Sequence, residues 1–202
     1  MSLINRGAAR TAFLAALSCI LPIAAAHAEP ITYTFSGDGA GTINGAAFSG
    51  DFSMVLTSDT SDVTPFGSEF LDSTLTGTFS EGGDTYTIGD LFGIIANPDS
   101  STPRVGISNA DVTSLLVLQD NSLIGYDLTT SVTASSSDPS GVIYDALNGD
   151  GFSLDGGADT LIFTSDSTLS FSAEVTPEPS SVLLLGTGLL AAAGAVRRRL
   201  CL

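Results

Sequence analysis

Ile31-Thr32-Tyr33-Thr34-Phe35-Ser36 alternates apolar and polar residues strictly, the pattern of a strand with one buried face. Gly37-Asp38-Gly39 reads as a turn. Phe52–Thr57 resumes the alternation with Phe52, Met54 and Leu56 on one side, and Ser58–Pro65 reads as a polar loop. Ser73–Ser80 puts Leu75 and Phe79 on one face around Gly77. Gly82-Gly83-Asp84 predicts a hairpin turn with Thr85–Ile88 as the return strand. Leu91–Ala96, Arg104–Ser108 and Ser114–Gln119 are further strands, Asp120-Asn121 is a turn, and Leu123–Thr133 is a longer strand. Val142–Tyr144 is a short strand, and Ala146–Asp159 is a loop rich in Gly and Asp. Leu161–Thr164 and Thr168–Val175 close the series, with Leu169, Phe171, Ala173 and Val175 sharing a face. No segment between residues 29 and 175 has a convincing helical period, and no clean internal repeat is visible. Short strands separated by turn signals predict an all-β fold, an antiparallel β-sandwich or jelly roll spanning residues 29–175.

The pattern changes at both ends. Arg6 and Arg10 precede an apolar run, Thr11–Ile23, and Ala26-His27-Ala28 is a small-x-small cleavage site. Residues 1–28 therefore read as a secretory signal peptide with a helical apolar core, and the mature chain starts at Glu29; cleavage after Ala26 is the alternative. Arg6 and Arg10 are not adjacent, which disfavours a twin-arginine route, and Cys19 reads as an ordinary residue of the apolar core.

At the other end, Pro177-Glu178-Pro179 must stop a strand, because proline cannot donate a ladder hydrogen bond and restricts the residue before it. Val182–Val196 carries no charge. Counting Ser180 and Ser181, it reaches the lower limit of about 17 residues for a bilayer span. Residues 180–196 are thus expected to form a single transmembrane helix. The cluster Arg197-Arg198-Arg199 keeps its own side cytoplasmic and leaves the preceding domain outside. On these physical grounds alone an ordinary anchor with a proline stalk remains open beside a processed signal.

Pro177-Glu178-Pro179, a short apolar helix and Arg197-Arg198-Arg199, in that order and at that spacing, resemble the PEP-CTERM sorting signal. The resemblance covers residues 176–202. It implies that exosortase, an integral-membrane protease of Gram-negative bacteria, recognises the tail and cleaves near the motif. It further implies a transient inner-membrane-anchored intermediate, then transfer to the cell surface or the extracellular medium, often among exopolysaccharide. It implies nothing about what the β domain does.

Removing both ends sharpens the composition. Of the 22 acidic residues all but Glu178 lie between Glu29 and Thr176, and of the 6 basic residues only Arg104 does; this region carries 21 negative charges against one positive. Such a surface is hydrated and repels phosphate polymers, so nucleic acid is not an expected partner. His27, Cys19 and Cys201 all lie in the terminal segments, and the chain has no Lys. The domain therefore has no disulfide and must rest on its core. A Ser-His-Asp or Cys-His system lacks its base, a Ser-Lys enzyme its amine, and a zinc centre its imidazoles. A carboxylate pair of the glycosidase kind survives this exclusion, but the many acids make some pair inevitable. Tyr33, Tyr86, Tyr126 and Tyr144 are the aromatic residues available to stack on a sugar, with Tyr33 and Tyr86 expected in the core.

Calcium is the one cofactor the residues suggest. Asn148, Asp150, Asp155 and Asp159 place hard oxygen ligands on a glycine-rich backbone. They match no complete calcium loop, and a solvated Asp/Gly turn is the plainer reading. No Asn-x-Ser/Thr sequon is present, so any glycan would be O-linked. The expected function is a non-enzymatic, secreted surface or matrix protein with a structural or adhesive role. A carbohydrate-binding module, with or without calcium, is the alternative, and a carboxylate-dependent glycosidase the third.

Overall fold

A computed structural model describes residues 28–89, 91–98, 101–109, 114–136, 142–143 and 151–176, together with residues 186, 188 and 190. The signal peptide up to residue 27, the Pro177-Glu178-Pro179 motif and the basic tail lie outside the described residues. Gly186, Gly188 and Leu190, the described part of the expected span, are helical. Among the described residues no helix is long and apolar enough to cross a membrane.

The domain is built of antiparallel strands in two sheets. The larger contains β1 (Pro30–Ile43), β2 (Ala46–Asp59), β5 (Thr76–Glu81), β6 (Asp84–Gly89), β10 (Val132–Ser136), β12 (Phe152–Leu154) and β13 (Asp159–Val175). The smaller contains β3 (Thr64–Phe66), β4 (Glu69–Asp72), β7 (Leu91–Asn97), β8 (Arg104–Asn109), β9 (Ser114–Gln119) and β11 (Val142–Ile143). β1 pairs with β13 as well as β2, so six strands close into a ring in the order β1-β2-β5-β6-β12-β13. Following the register from Tyr33 leads through Leu56, Gly77, Ile88 and Leu154 to Asp159, beyond the level of Ile43. That stagger is what a closed ring of tilted strands requires.

A sandwich was the expectation; the fold is a six-strand barrel continued at one end by a second sheet. The long strands β1, β2 and β13 serve both parts. Toward Ile43 and Leu161 their inward side chains fill the ring, where Phe48, Phe52, Phe79 and Phe163 form a cluster with centroids 5.0–6.1 Å apart. Tyr33 and Phe171 belong to the same buried cluster as Ile94, Ala96, Val105, Ile107, Leu116 and Leu118 of the smaller sheet, so one apolar core runs through both parts. Each fully buried Phe or Leu contributes roughly 1.5–3 kcal/mol.

The period-2 reading of β1, β2 and β13 holds: Ile31, Tyr33 and Phe35, then Phe52, Met54 and Leu56, then Leu169, Phe171 and Ala173 are all buried. Several boundaries differ. Gly37-Asp38-Gly39 is not a turn; β1 runs through it, with register shifts against β13 at Asp38/Gly39 and Ala40/Gly41. A Cβ on Gly37 would sit 2.0 Å from the Thr168 carbonyl oxygen, so glycine is needed there for close backbone approach. The real turn is Asn44-Gly45, with φ of 52° and 79°, the Asn-Gly pair that a two-residue hairpin favours. The long strand expected over Leu123–Thr133 is instead a 3-10 turn, Asn121–Leu123, then irregular chain, with only Val132 onward paired. Leu123, Tyr126 and Leu128 still enter the core, Leu128 at a φ of 66° and Asp127 turning the chain by accepting from the Thr129 amide at 3.0 Å. Phe152–Leu154, expected as loop, is β12, and the two expected closing strands are one continuous β13.

Candidate functional site

The two ends of the domain lie side by side. Ile31 pairs with Val175, and the Thr176 amide donates to the Pro30 carbonyl at 2.9 Å. Glu29 is tied down as well: its amide donates to Thr60 Oγ1 at 3.0 Å, and its carbonyl accepts from the Thr60 amide at 3.0 Å. Ala28, one of the two expected cleavage residues, is therefore the last residue before the folded domain, while Ala26 lies outside the described residues. Pro177, Glu178 and Pro179 follow the final ladder hydrogen bond directly; they and Arg197, Arg198 and Arg199 also lie outside the described residues.

Of the candidate calcium ligands, Asn148 and Asp150 are outside the described residues. Asp155 and Asp159 bracket the hairpin between β12 and β13. Asp155 has a φ of 49° with Gly156 and Gly157 beside it. Its Oδ1 accepts from the Thr87 amide at 2.7 Å, and its own amide donates to the Thr87 carbonyl at 2.7 Å. That carboxylate locks the hairpin onto β6. Among the described residues no three His, Cys, Asp or Glu side chains converge as a metal site.

The carboxylate buried among the described residues is Asp72. Its Oδ1 accepts from the Thr74 amide at 3.2 Å, and its Oδ2 lies 3.3 Å from the Tyr33 hydroxyl, which also donates to the Leu128 carbonyl at 2.8 Å. Burial first, then the Asp72 charge, push the Tyr33 hydroxyl far above the ordinary tyrosine value of about 10. Burial does the same to Tyr126, with Asp127 and Asp72 adding to it, and among the described residues the Tyr126 hydroxyl has no hydrogen-bond partner. Tyr33 thus ties β1 to β4 of the smaller sheet, while the Tyr126 ring packs edge-on against Phe171 at 5.8 Å, and both side chains are buried. Arg104, the domain's cation, pairs with Glu69 at 3.3 Å, and Glu69 also accepts from Asn97 at 3.0 Å.

The outside of the larger sheet has a feature that reading strands singly does not reveal. The registers align Ser135, Ser170, Ser36, Ser53, Ser80 and Thr85 in one row across β10, β13, β1, β2, β5 and β6. The next row is Thr133, Ser172, Thr34, Val55, Thr78 and Thr87. All twelve positions are exposed or half-buried, and Val55 alone lacks a hydroxyl. Where the rows reach β10, the 3-10 turn rises beside them to make an open depression of about 380 Å³, lined by Ser36, Thr133, Ser135, Ser170 and Ser172 of the rows, by Asp120 and Ser122 of the turn, and by Ala134 and Phe171. Asp120 is held there by accepting from the Ser122 amide at 2.7 Å. The signal was present as Thr/Ser-x-Thr/Ser in several strands, but only the pairing assembles it.

No curated protein and no solved structure matches the chain. Residues 175–199 match the PEP-CTERM protein-sorting motif, covering the Pro-Glu-Pro element, the apolar run and all three terminal arginines. That motif implies a secreted protein that is exported, held as a membrane-anchored intermediate and sorted by exosortase. Beginning on the last residue of β13, the chain carries a PEP-CTERM protein-sorting motif and is marked by it as an exosortase substrate.

Proposed function

We propose that this is a non-enzymatic surface or matrix protein of a Gram-negative bacterium. The Sec pathway exports it, the C-terminal span retains it at the inner membrane, and cleavage near Pro177-Glu178-Pro179 passes the β domain to the cell surface or the surrounding exopolysaccharide. The observation that carries this reading is the pairing of the two ends. Glu29 is fastened to Thr60 and Thr176 to Pro30, at the same end of the β1–β13 ladder, which supports processing outside residues 29–176 with the hydrogen-bonded domain between the two cuts. Its acidic surface and lack of His, Lys and Cys between Glu29 and Thr176 suit a hydrated structural cargo better than a catalyst.

Intact mass of the protein from host cells with and without the sorting protease tests this. A species starting at Glu29 and ending near Pro177–Ser181 only when the protease is present supports the reading. Retention of residues 182–202 in both strains replaces it with a tethered periplasmic domain. The hydroxyl-lined outer face favours one second reading, a carbohydrate-binding module. The calcium-assisted form of it has less support, because Asp155 already spends a carboxylate oxygen on Thr87.

A further inference from the structure

We infer that the depression between β10, β13, β1 and the 3-10 turn is a binding site for a neutral, extended polysaccharide, whose chain continues along the two hydroxyl rows across the strands. The inference rests on the carbohydrate-binding reading and gives it a site and a ligand class.

Three observations point to this occupant. First, the lining is chemically matched. Each Ser or Thr hydroxyl of the lining can both donate and accept, as sugar hydroxyls do, and the Asp120 carboxylate, one oxygen of which takes the Ser122 amide, adds acceptor capacity for a sugar hydroxyl. Second, charge selects against the alternatives. The two rows contain no ionisable residue, on a domain with 21 acidic residues and one basic. An anionic polymer is repelled by the surroundings and finds no cation on the face, whereas a neutral polymer meets neither penalty. Third, the spacing suits a polymer. Adjacent strands lie about 4.7–4.9 Å apart, close to the rise of one sugar residue in an extended chain. A glycan laid across the strands therefore meets a fresh pair of hydroxyls at every residue. Rows already bonded internally, such as Ser80 with Thr85 at 2.9 Å, hold their hydroxyls in fixed orientation. Phe171, the aromatic residue of the lining, is 1% exposed and offers no open ring face, so binding in the depression comes from hydrogen bonds rather than stacking, and affinity depends on several sugar residues acting together.

The test is affinity electrophoresis of the mature exported protein in gels containing hydroxyethylcellulose, dextran or pullulan, with alginate as the anionic comparison. Retardation is expected in at least one neutral gel and not in alginate. Ser170→Glu and Ser135→Glu each place a carboxylate in the depression and are expected to weaken binding by about tenfold or more. Ala47→Glu, exposed at the far end of β2, is expected to bind as wild type. Circular dichroism checks that each variant folds, and Ser135→Ala/Ser170→Ala replaces any that does not. Absence of retardation in all three neutral gels overturns both the site and the carbohydrate reading, while leaving the sorting result untouched. Retardation that Ser170→Glu and Ser135→Glu leave unchanged overturns the site alone. A concentration-dependent dimer in sedimentation that Ser170→Glu abolishes also overturns it, by making the face an interface between copies.

Discussion

Tyr33 and Tyr126 show how differently two buried hydroxyls of one residue type can count. The Tyr33 hydroxyl is shared between the Leu128 carbonyl and Asp72, so it ties β1 to both the irregular segment and the second sheet. Removing it takes the side-chain donor from the buried Leu128 carbonyl and from Asp72 Oδ2, while Asp72 Oδ1 keeps the Thr74 amide. Tyr33→Phe is therefore expected to cost about 1–3 kcal/mol in urea unfolding. The Tyr126 hydroxyl is buried with no partner among the described residues, so Tyr126→Phe deletes a desolvated group without orphaning another of them. It is expected to fall within about 0.5 kcal/mol of wild type, or to be slightly more stable. A loss at Tyr126 as large as at Tyr33 would mean that a bound water satisfies it. Neither partner of Tyr33 is legible in the sequence. Asp72 lies on a strand the hydrophobic pattern did not announce, and Leu128 reaches the core through a left-handed backbone in a segment that read as a strand.

At the level of elements, the ladder between β1 and β13 decides whether the ring closes. It pairs thirteen residues of each strand from Ile31–Val175 to Ile43–Leu161 and depends on glycine where the backbones crowd. Gly37→Ala would drive a Cβ into the Thr168 carbonyl, a backbone atom that cannot swing aside. The expected loss is roughly 1–3 kcal/mol by thermal or urea unfolding. Gly89→Ala is the control: its nearest neighbour, Ser153 Oγ, would lie at 3.5 Å, and a change within about 0.5 kcal/mol is expected. Equal effects at the two positions would show that close approach is not what glycine provides at Gly37. Hydrophobic alternation revealed both strands and their inward faces, because that signal is carried by neighbours in the chain. It could not separate a turn glycine from a crowding glycine, since both appear as Gly beside Asp.

For the molecule as a whole, Tyr33 is buried where β1 meets Asp72 of the second sheet and Tyr126 is buried against Phe171, so ionising either requires the core to open. An acid whose folded value lies above its unfolded one binds its proton more tightly when folded. The stability it adds is complete below the unfolded value of about 10 and falls as pH rises beyond it, by about 1.4 kcal/mol per pH unit for each such group. Stability is thus expected to decline steeply above about pH 10. Tyrosinate absorbance from these two residues should appear only together with unfolding, followed by circular dichroism in the same titration. Tyrosinate formation at full native ellipticity would contradict the burial described.

What the sequence determined by itself is whatever neighbouring residues encode: an exported all-β domain, the inward face of each main strand, and a sorting tail recognised from contiguous residues. What only the tertiary structure decided depends on which strand lies beside which. Closure of the ring through β13, the Tyr33–Asp72 junction and the hydroxyl rows all come from registers between residues up to 144 positions apart, as Ile31 and Val175 are. A period of two tells each strand which side faces inward. It carries no information about its neighbour, because partner choice is settled by the packing of the whole core and by backbone hydrogen bonds that are the same for every sequence.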